Sequence, residues 1–191
     1  MVEVTTAWAQ MRDWSAGLLL RGTGHDVDEW NRRVAESGIG AEPDLRAWLK
    51  EQGVTGYAQM LLVMERFGYP DFLTADAATL VDGQYADRPA LRPVYDRLVA
   101  LASGLRDTSV GARKTYVTLS TPRRKFAVIK ATTQRRVDLG LRLEGVELSG
   151  RLESPKVLRD DALTARIALA VPEDIDDEVA EWLSRACELN R

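Results

Sequence analysis

The chain has 191 residues, 45% of them hydrophobic and 29% charged, with 26 Lys and Arg against 29 Asp and Glu for a net charge of −3. That balance excludes wholesale disorder and does not mark a dedicated nucleic-acid binder. No apolar run approaches the roughly 18–20 residues that cross a bilayer, and Leu18-Leu19-Leu20 is too short for a signal-peptide core, so a cytoplasmic protein with no membrane partner is expected.

Residues 1–73 read as a helical module. Trp8, Met11, Trp14/Ser15 and Leu18 recur at helical spacing until Gly22 and Gly24 end the run. Asp26 with Glu29 three residues on has the form of an N-cap, opening a helix that turns Trp30 and Val34 inward and stops at Gly38 and Gly40. A third helix starts near Pro43/Asp44, carries Leu45, Trp48 and Leu49 on one side, and stops at Gly53. A fourth runs from Thr55 through Met60–Met64 and Phe67 to Gly68. The last two have helix-turn-helix spacing, but a base-reading helix needs polar side chains and this one is apolar on most sides, so a bundle helix is favoured. Trp8, Trp14, Trp30 and Trp48 are expected in the core rather than in a ligand cage, because a module this small needs their area.

The single histidine, His25, lies beside Asp26 with no Ser or Cys in nucleophile context, and reads as a surface residue at a helix cap. The single cysteine, Cys187, excludes an intramolecular disulfide and reads as a small helix residue, since no further histidine is present to act as its base. The two together cannot supply a Cys/His zinc set, and neither a metal nor a cofactor is expected.

Pro70 to Arg88 mixes Pro, Asp, Gly and small residues and reads as a connector, residues 74–87, with room for one short helix. Residues 88–191 form the second domain. Arg88-Pro89 opens a helix with Leu91, Val94, Leu98, Leu101 and Leu105 on one side. From Lys114 the period changes to two: Val117 and Leu119 share one face, Lys114, Tyr116 and Thr118 the other. A turn at Thr121–Arg124 leads into Lys125–Lys130. The next strand sets Val137, Leu139, Leu141 and Leu143 inward and Arg136, Asp138, Gly140 and Arg142 outward. Ala165–Val171, small or apolar on both faces apart from Arg166, has the pattern of a central strand. A closing helix from Pro172 carries Glu173, Asp174, Asp176 and Asp177 at its positive end and a stripe of Ile175, Val179, Trp182, Ala186 and Leu189. The fold class expected is α+β: a small N-terminal helical bundle followed by an antiparallel sheet flanked by helices.

Gly24-His-Asp-Val-Asp-Glu-Trp30, Ala47-Trp-Leu-Lys50 and Thr55-Gly-Tyr-Ala58 resemble the bacterial helical family called domain of unknown function 4287. Lys114-Thr-Tyr-Val-Thr-Leu119, Lys125-Phe-Ala-Val-Ile129 and Arg136-Val-Asp-Leu-Gly-Leu141 resemble domain of unknown function 5655. The resemblance implies a bacterial tandem of the two and supplies neither catalytic residues nor a substrate. The helical family often has Gly-His-Gly where Thr55-Gly-Tyr57 stands here, so a histidine role does not carry over.

Between Arg113 and Arg142, nine Lys and Arg face one carboxylate, Asp138, a net of +8 in a chain that is otherwise acidic. On an antiparallel sheet, Lys114, Arg136 and Arg142 emerge together with Tyr116 among them, and Phe126 joins them if its strand points that way. Cations beside an aromatic on an open sheet can hold phosphates while bases stack. Gly140 would let a ligand approach the backbone. The expected function is a non-catalytic binding protein with a basic sheet surface for an anionic ligand, nucleic acid or a phosphorylated metabolite. Lys114, Tyr116, Arg124, Lys125, Lys130, Arg136 and Arg142 are the candidate contacts. Alternatively these charges pair with one another, and the chain is a protein–protein interaction or regulatory module. An enzyme is not expected: the chain has no P-loop and no Gly-X-Ser-X-Gly elbow, and the carboxylates near Asp138 (Glu144, Glu147, Glu153) lack nuclease spacing. The weaker enzymatic alternative is a metal-dependent phosphoesterase using Asp138.

Overall fold

The computed structural model of the chain describes residues 4–6 and 8–191. They divide into two units. One holds helices α1 (Trp8–Thr23), α2 (Val27–Glu36), α3 (Glu42–Glu51), α4 (Gly56–Phe67) and the short α5 (Asp71–Thr74); the other holds strand β1 (Val4–Thr6) and everything from Asp76 onward.

In the helical unit, local chemistry sets the helix ends. α1 stops before Gly24, whose φ of 74° lies in the left-handed region that favours glycine. Asp26 caps α2, its Oδ1 accepting the Glu29 N–H at 2.9 Å and so satisfying a donor the helix leaves open. Leu19, Trp30, Val34, Leu45, Leu49, Ala58, Leu62 and Val63 meet in the core. α4 also buries Leu61, which suits a bundle helix. The tryptophans divide. Trp30 is buried, with its indole N–H donating to Thr23 Oγ1 at 2.9 Å, and Trp48 packs edge-on against it. Trp8 is partly buried against Tyr69. Trp14, expected in the core, is half exposed against Tyr57, because α1 turns Ser15 and Leu19 inward and Trp14 falls beside that line. His25 is partly buried beside the cap, its Nε2 3.1 Å from Arg33 Nη2.

The second unit is built on a sheet whose strands lie in the order β1-β2-β3-β4-β5-β6 among the described residues. These are β2 (Ser109–Ala112), β3 (Val117–Ser120), β4 (Lys125–Thr133), β5 (Arg136–Leu141) and β6 (Ala165–Leu169), antiparallel throughout, with β1 parallel to β2 at the edge. The register aligns Ala112, Val117, Ile129, Leu139 and Ile167 across five strands, so every residue of that row faces the same way and all are buried. Helices α6 (Ala77–Tyr85), α7 (Arg92–Ser103) and α8 (Asp177–Leu189) complete the unit, with α8 on β4 and β5 and α6 on β1 and β2. Asp176 caps α8. The buried line of α8 is Val179, Leu183, Ala186 and Cys187; of the expected stripe, Trp182 is only partly buried and Leu189 is 44% exposed.

The fold is α+β, as the change of period implies. Three details differ from the sequence expectation. β1 lies within residues 1–73, expected to be wholly helical. β2 precedes Lys114, where the alternation was expected to begin; its Ser-Val-Gly-Ala is too short and small to stand out, and Gly111 is required because Thr118 Oγ1 would lie 2.8 Å from a Cβ there. β6, expected to be central, is the last strand in the order, meeting only a bridge at Glu153 on its outer side. On the second face of the sheet, where β6 presents Arg166 and Ala168, the chain between Glu153 and Leu163 returns across β4 and β5.

That crossing also covers the face expected to be open. Leu158 and Leu163 pack on Val128 with Tyr116 against them, and a Cβ at Gly140 would meet the two leucine Cδ1 atoms at 2.5 and 2.6 Å. The close approach that Gly140 permits is therefore made by the protein's own leucines, not by a ligand. Gly140→Ala should destabilise the chain by about 1–3 kcal/mol, as overpacking does. Adding Leu158→Ala should cost less in that variant than in the parent, measured as a double-mutant cycle by urea unfolding.

Candidate functional site

The alternation of β5 places Arg136, Asp138 and Gly140 on the second face, opposite Val137, Leu139 and Leu141. Asp138 is fully buried. Its Oδ1 accepts from Arg166 Nη1 at 2.6 Å and lies 3.2 Å from Arg136 Nε, while the Thr132 hydroxyl donates to Oδ2. Arg166 also pairs with Glu153 and donates from Nε to the Ser154 carbonyl at 3.1 Å, tying the crossing segment to the sheet. Both carboxylate oxygens are thus engaged by the protein itself. Among the described residues no group of three or more His, Cys, Asp or Glu side chains could hold a metal ion.

The ladder separates the seven candidate residues into two groups. The β2–β3 and β4–β5 turns lie at one end of the sheet, and the β3–β4 turn lies at the other. Lys114, Tyr116, Lys130 and Arg136 are at the first end; Arg124, Lys125 and Arg142 are at the second. At the second end the cations have partners. Lys125 pairs with Asp160, Arg142 Nε donates to Glu144 Oε1 at 2.8 Å, and Arg124 Nη1 is 4.0 Å from the same oxygen. The hydrogen bond from Arg142, and then its charge, hold the Glu144 carboxyl below the usual range. Arg123 donates to the Arg191 carbonyl at 3.1 Å, and Phe126 is wholly buried.

The first end is built differently. The Gln84 amide on α6 donates to the carbonyls of Arg113 and Tyr116, at 2.7 and 3.3 Å, and so pins the β2–β3 turn. The Arg88 guanidinium donates to the carbonyls of Ala131 and Thr133, at 3.0 and 3.3 Å, and pins the β4–β5 turn. Asp87 braces this second clamp by accepting from Arg88 and from the Gln134 amide at 2.8 Å. Those hydrogen bonds, Arg88 first, bring the Asp87 carboxyl down to about 2.

Tyr116 stands one residue beyond the Val117–Ile129 pair and therefore beside Lys130, which in turn lies opposite Asp138 in the ladder on the same face. Both are partly exposed, Lys114 and Arg135 are exposed, and Arg113 is partly exposed. Among the described residues, Arg113, Lys130 and Arg135 take part in no ion pair. Arg113 and Arg135 belong to the basic run but were not among the candidate contacts. Gln84, Asp87 and Arg88 carry no sequence signal, because their bonds reach backbone or side-chain atoms brought near only by folding.

The family model of a domain of unknown function, DUF5655, matches residues 81–190. The chain belongs to this family. The DUF5655 match begins within α6 and runs through α8, so it takes in both clamps, the buried Asp138 and the crossing segment; the helical unit lies outside it. No curated protein and no solved structure matches the chain. No helix among the described residues is long and apolar enough to cross a membrane.

Two outcomes follow from this geometry. Asp138→Asn leaves two guanidinium groups facing a neutral amide and should cost about 3–5 kcal/mol; Arg142→Ala, at an exposed pair, should cost about 0–1 kcal/mol. Urea unfolding distinguishes them. The Asp87 clamp depends on acid. Because its folded-state pKa is depressed, its contribution is present above the ordinary carboxylate range near ~4 and is lost as pH falls through about 2. Backbone amide resonances of residues 131–135 should shift in that window, and Asp87→Asn should abolish the transition.

Proposed function

We propose that the chain is a non-catalytic binding protein holding an anionic, phosphate-bearing ligand, nucleic acid or a phosphorylated metabolite, at the end of the sheet where the β2–β3 and β4–β5 turns lie. What carries this is the charge at that end. Among the described residues Arg113, Lys130 and Arg135 take part in no ion pair, while the nearby Asp87 and Asp138 are each already engaged. Lys114, Tyr116 and Arg136 complete the surface. Arg124, Lys125 and Arg142 are engaged at the opposite end and are assigned structural roles. With this goes a bacterial, cytoplasmic setting and a helical unit of the domain of unknown function 4287 kind, supported by Gly24–Trp30, Ala47–Lys50 and Thr55–Ala58.

A second function, recognition of a protein through the helical unit, is favoured by one observation. Trp14, Leu20 and Tyr57 are each 50% exposed, and the two aromatics stand edge-to-face at 5.1 Å.

Fluorescence anisotropy with labelled oligonucleotides, and calorimetry with nucleotides, test the first. If three cations contact phosphates, the log–log dependence of affinity on salt should have a slope of about −2 for a single strand. Lys130→Ala with Arg135→Ala should reduce that slope to about −0.7. Arg124→Ala with Arg142→Ala should leave it unchanged. Absence of any salt-dependent binding, together with a stoichiometric protein partner lost on Trp14→Ala, would transfer the function to the helical unit.

A further inference from the structure

The two turns that carry the cations are held at a fixed separation. Across the sheet they are centred two strand spacings apart, ~10 Å, and the β4–β5 hairpin reaches about three residues further along the strands, another ~10 Å, so the turn centres lie ~14 Å apart. Each is pinned by its own donor, Gln84 for the β2–β3 turn and Arg88 for the β4–β5 turn. Arg113 lies in the first turn and Arg135 in the second. Lys130 and Tyr116 lie between them in strand order, on adjacent strands and the same face. One phosphate group cannot reach both turns, whereas a chain of phosphates can. A stacked single strand carries one phosphate per ~3.4 Å of rise, so ~14 Å corresponds to about four.

Tyr116 narrows the ligand further. Its ring rests on Val128, Leu158 and Leu163 and remains partly exposed. A ring held from behind loses little further freedom when a flat group stacks on it, and base–aromatic stacking is sequence-tolerant. Duplex bases are already stacked and paired, and cannot reach such a ring without leaving the helix.

From this spacing, and resting on the anion-binding function proposed above, we infer that the site takes a single-stranded nucleic-acid segment of about four nucleotides. Its backbone bridges Arg113 and Arg135 past Lys130, with one base stacked on Tyr116. The separation of the clamped turns sets the length of the segment, and the tyrosine separates it from a bare polyanion.

The test is a length series of oligothymidylates from one to eight nucleotides on the full chain, with inorganic polyphosphate of matching charge as the base-free probe. Affinity is expected to rise at least tenfold between one and four nucleotides and then flatten. Arg113→Ala and Arg135→Ala, each at one turn, should separately remove most of that rise. Tyr116→Leu, which keeps an apolar group on the leucines, should weaken the octamer about tenfold and leave polyphosphate unchanged. Circular dichroism checks that each variant is folded, and Arg135→Ala, at an exposed turn, keeps the test open if Tyr116→Leu is not. A nucleoside monophosphate binding as tightly as the octamer would overturn the bridging and leave the anion-binding function standing. Polyphosphate binding equally well with no effect of Tyr116→Leu would overturn the nucleic-acid assignment, as would a tighter duplex complex. Failure of every probe to bind would remove both the inference and the function it rests on.

Discussion

A carboxylate with no exposed surface stands in the second face of the sheet at Asp138, and the second unit is arranged around the groups that carboxylate requires. An ionised side chain withdrawn from water costs several kcal/mol unless it is paired. The pairing comes from Arg166 on β6, Arg136 on β5 and Thr132 on β4, so three strands must meet in one register before the charge is compensated. A slip of one residue would carry Asp138 into the apolar face. The ion group therefore discriminates between registers more than it adds net stability, while the apolar rows that α8 covers supply the driving force. Arg166 extends the arrangement outward through Glu153 and the Ser154 carbonyl, which directs the returning chain across the sheet and lays Leu158 and Leu163 over Gly140.

The same antiparallel geometry decides where charge is available. Nine cations within thirty residues look like one surface when written in a line. Hairpin reversal sends them to opposite ends of the sheet. At the β3–β4 turn they meet Asp160 and Glu144, contributed by the chain that follows β5. At the other end Asp138 engages Arg136 and Arg166, Asp87 engages Arg88, and the turns themselves are held by Gln84 and Arg88. Backbone carbonyls in and beside the two turns are attachment points for α6 and the chain just after it, so the cations project from anchored turns.

Much of the architecture was legible beforehand. The glycine stops and the Asp26 cap mark the helices of the first unit; the alternation in Arg136–Leu141 and the apolar spacing in α8 mark the second. These features depend on neighbours within a turn or two of the chain, and their physics is local. What was not legible has a common cause. Trp14 differs from Trp30 only in which side of its helix faces the bundle, and a one-residue displacement to Ser15 and Leu19 moved it outward. Ala165–Leu169 is small or apolar apart from Arg166, a composition that a central strand and a terminal strand whose arginine reaches a buried carboxylate both have. Gly140 likewise admits a ligand or a leucine equally well on paper.

By itself the sequence determined an α+β chain with a helical first part, a sheet with one continuous apolar face, and a concentration of positive charge in three strands. It did so because periodicity and capping are short-range properties of the polypeptide. Only the tertiary structure decided which cations are neutralised, which end of the sheet keeps its charge, and that the second face is roofed over. Those outcomes turn on carboxylates, carbonyls and leucines that lie tens of residues away along the chain, and Coulomb attraction and packing act on distance in space.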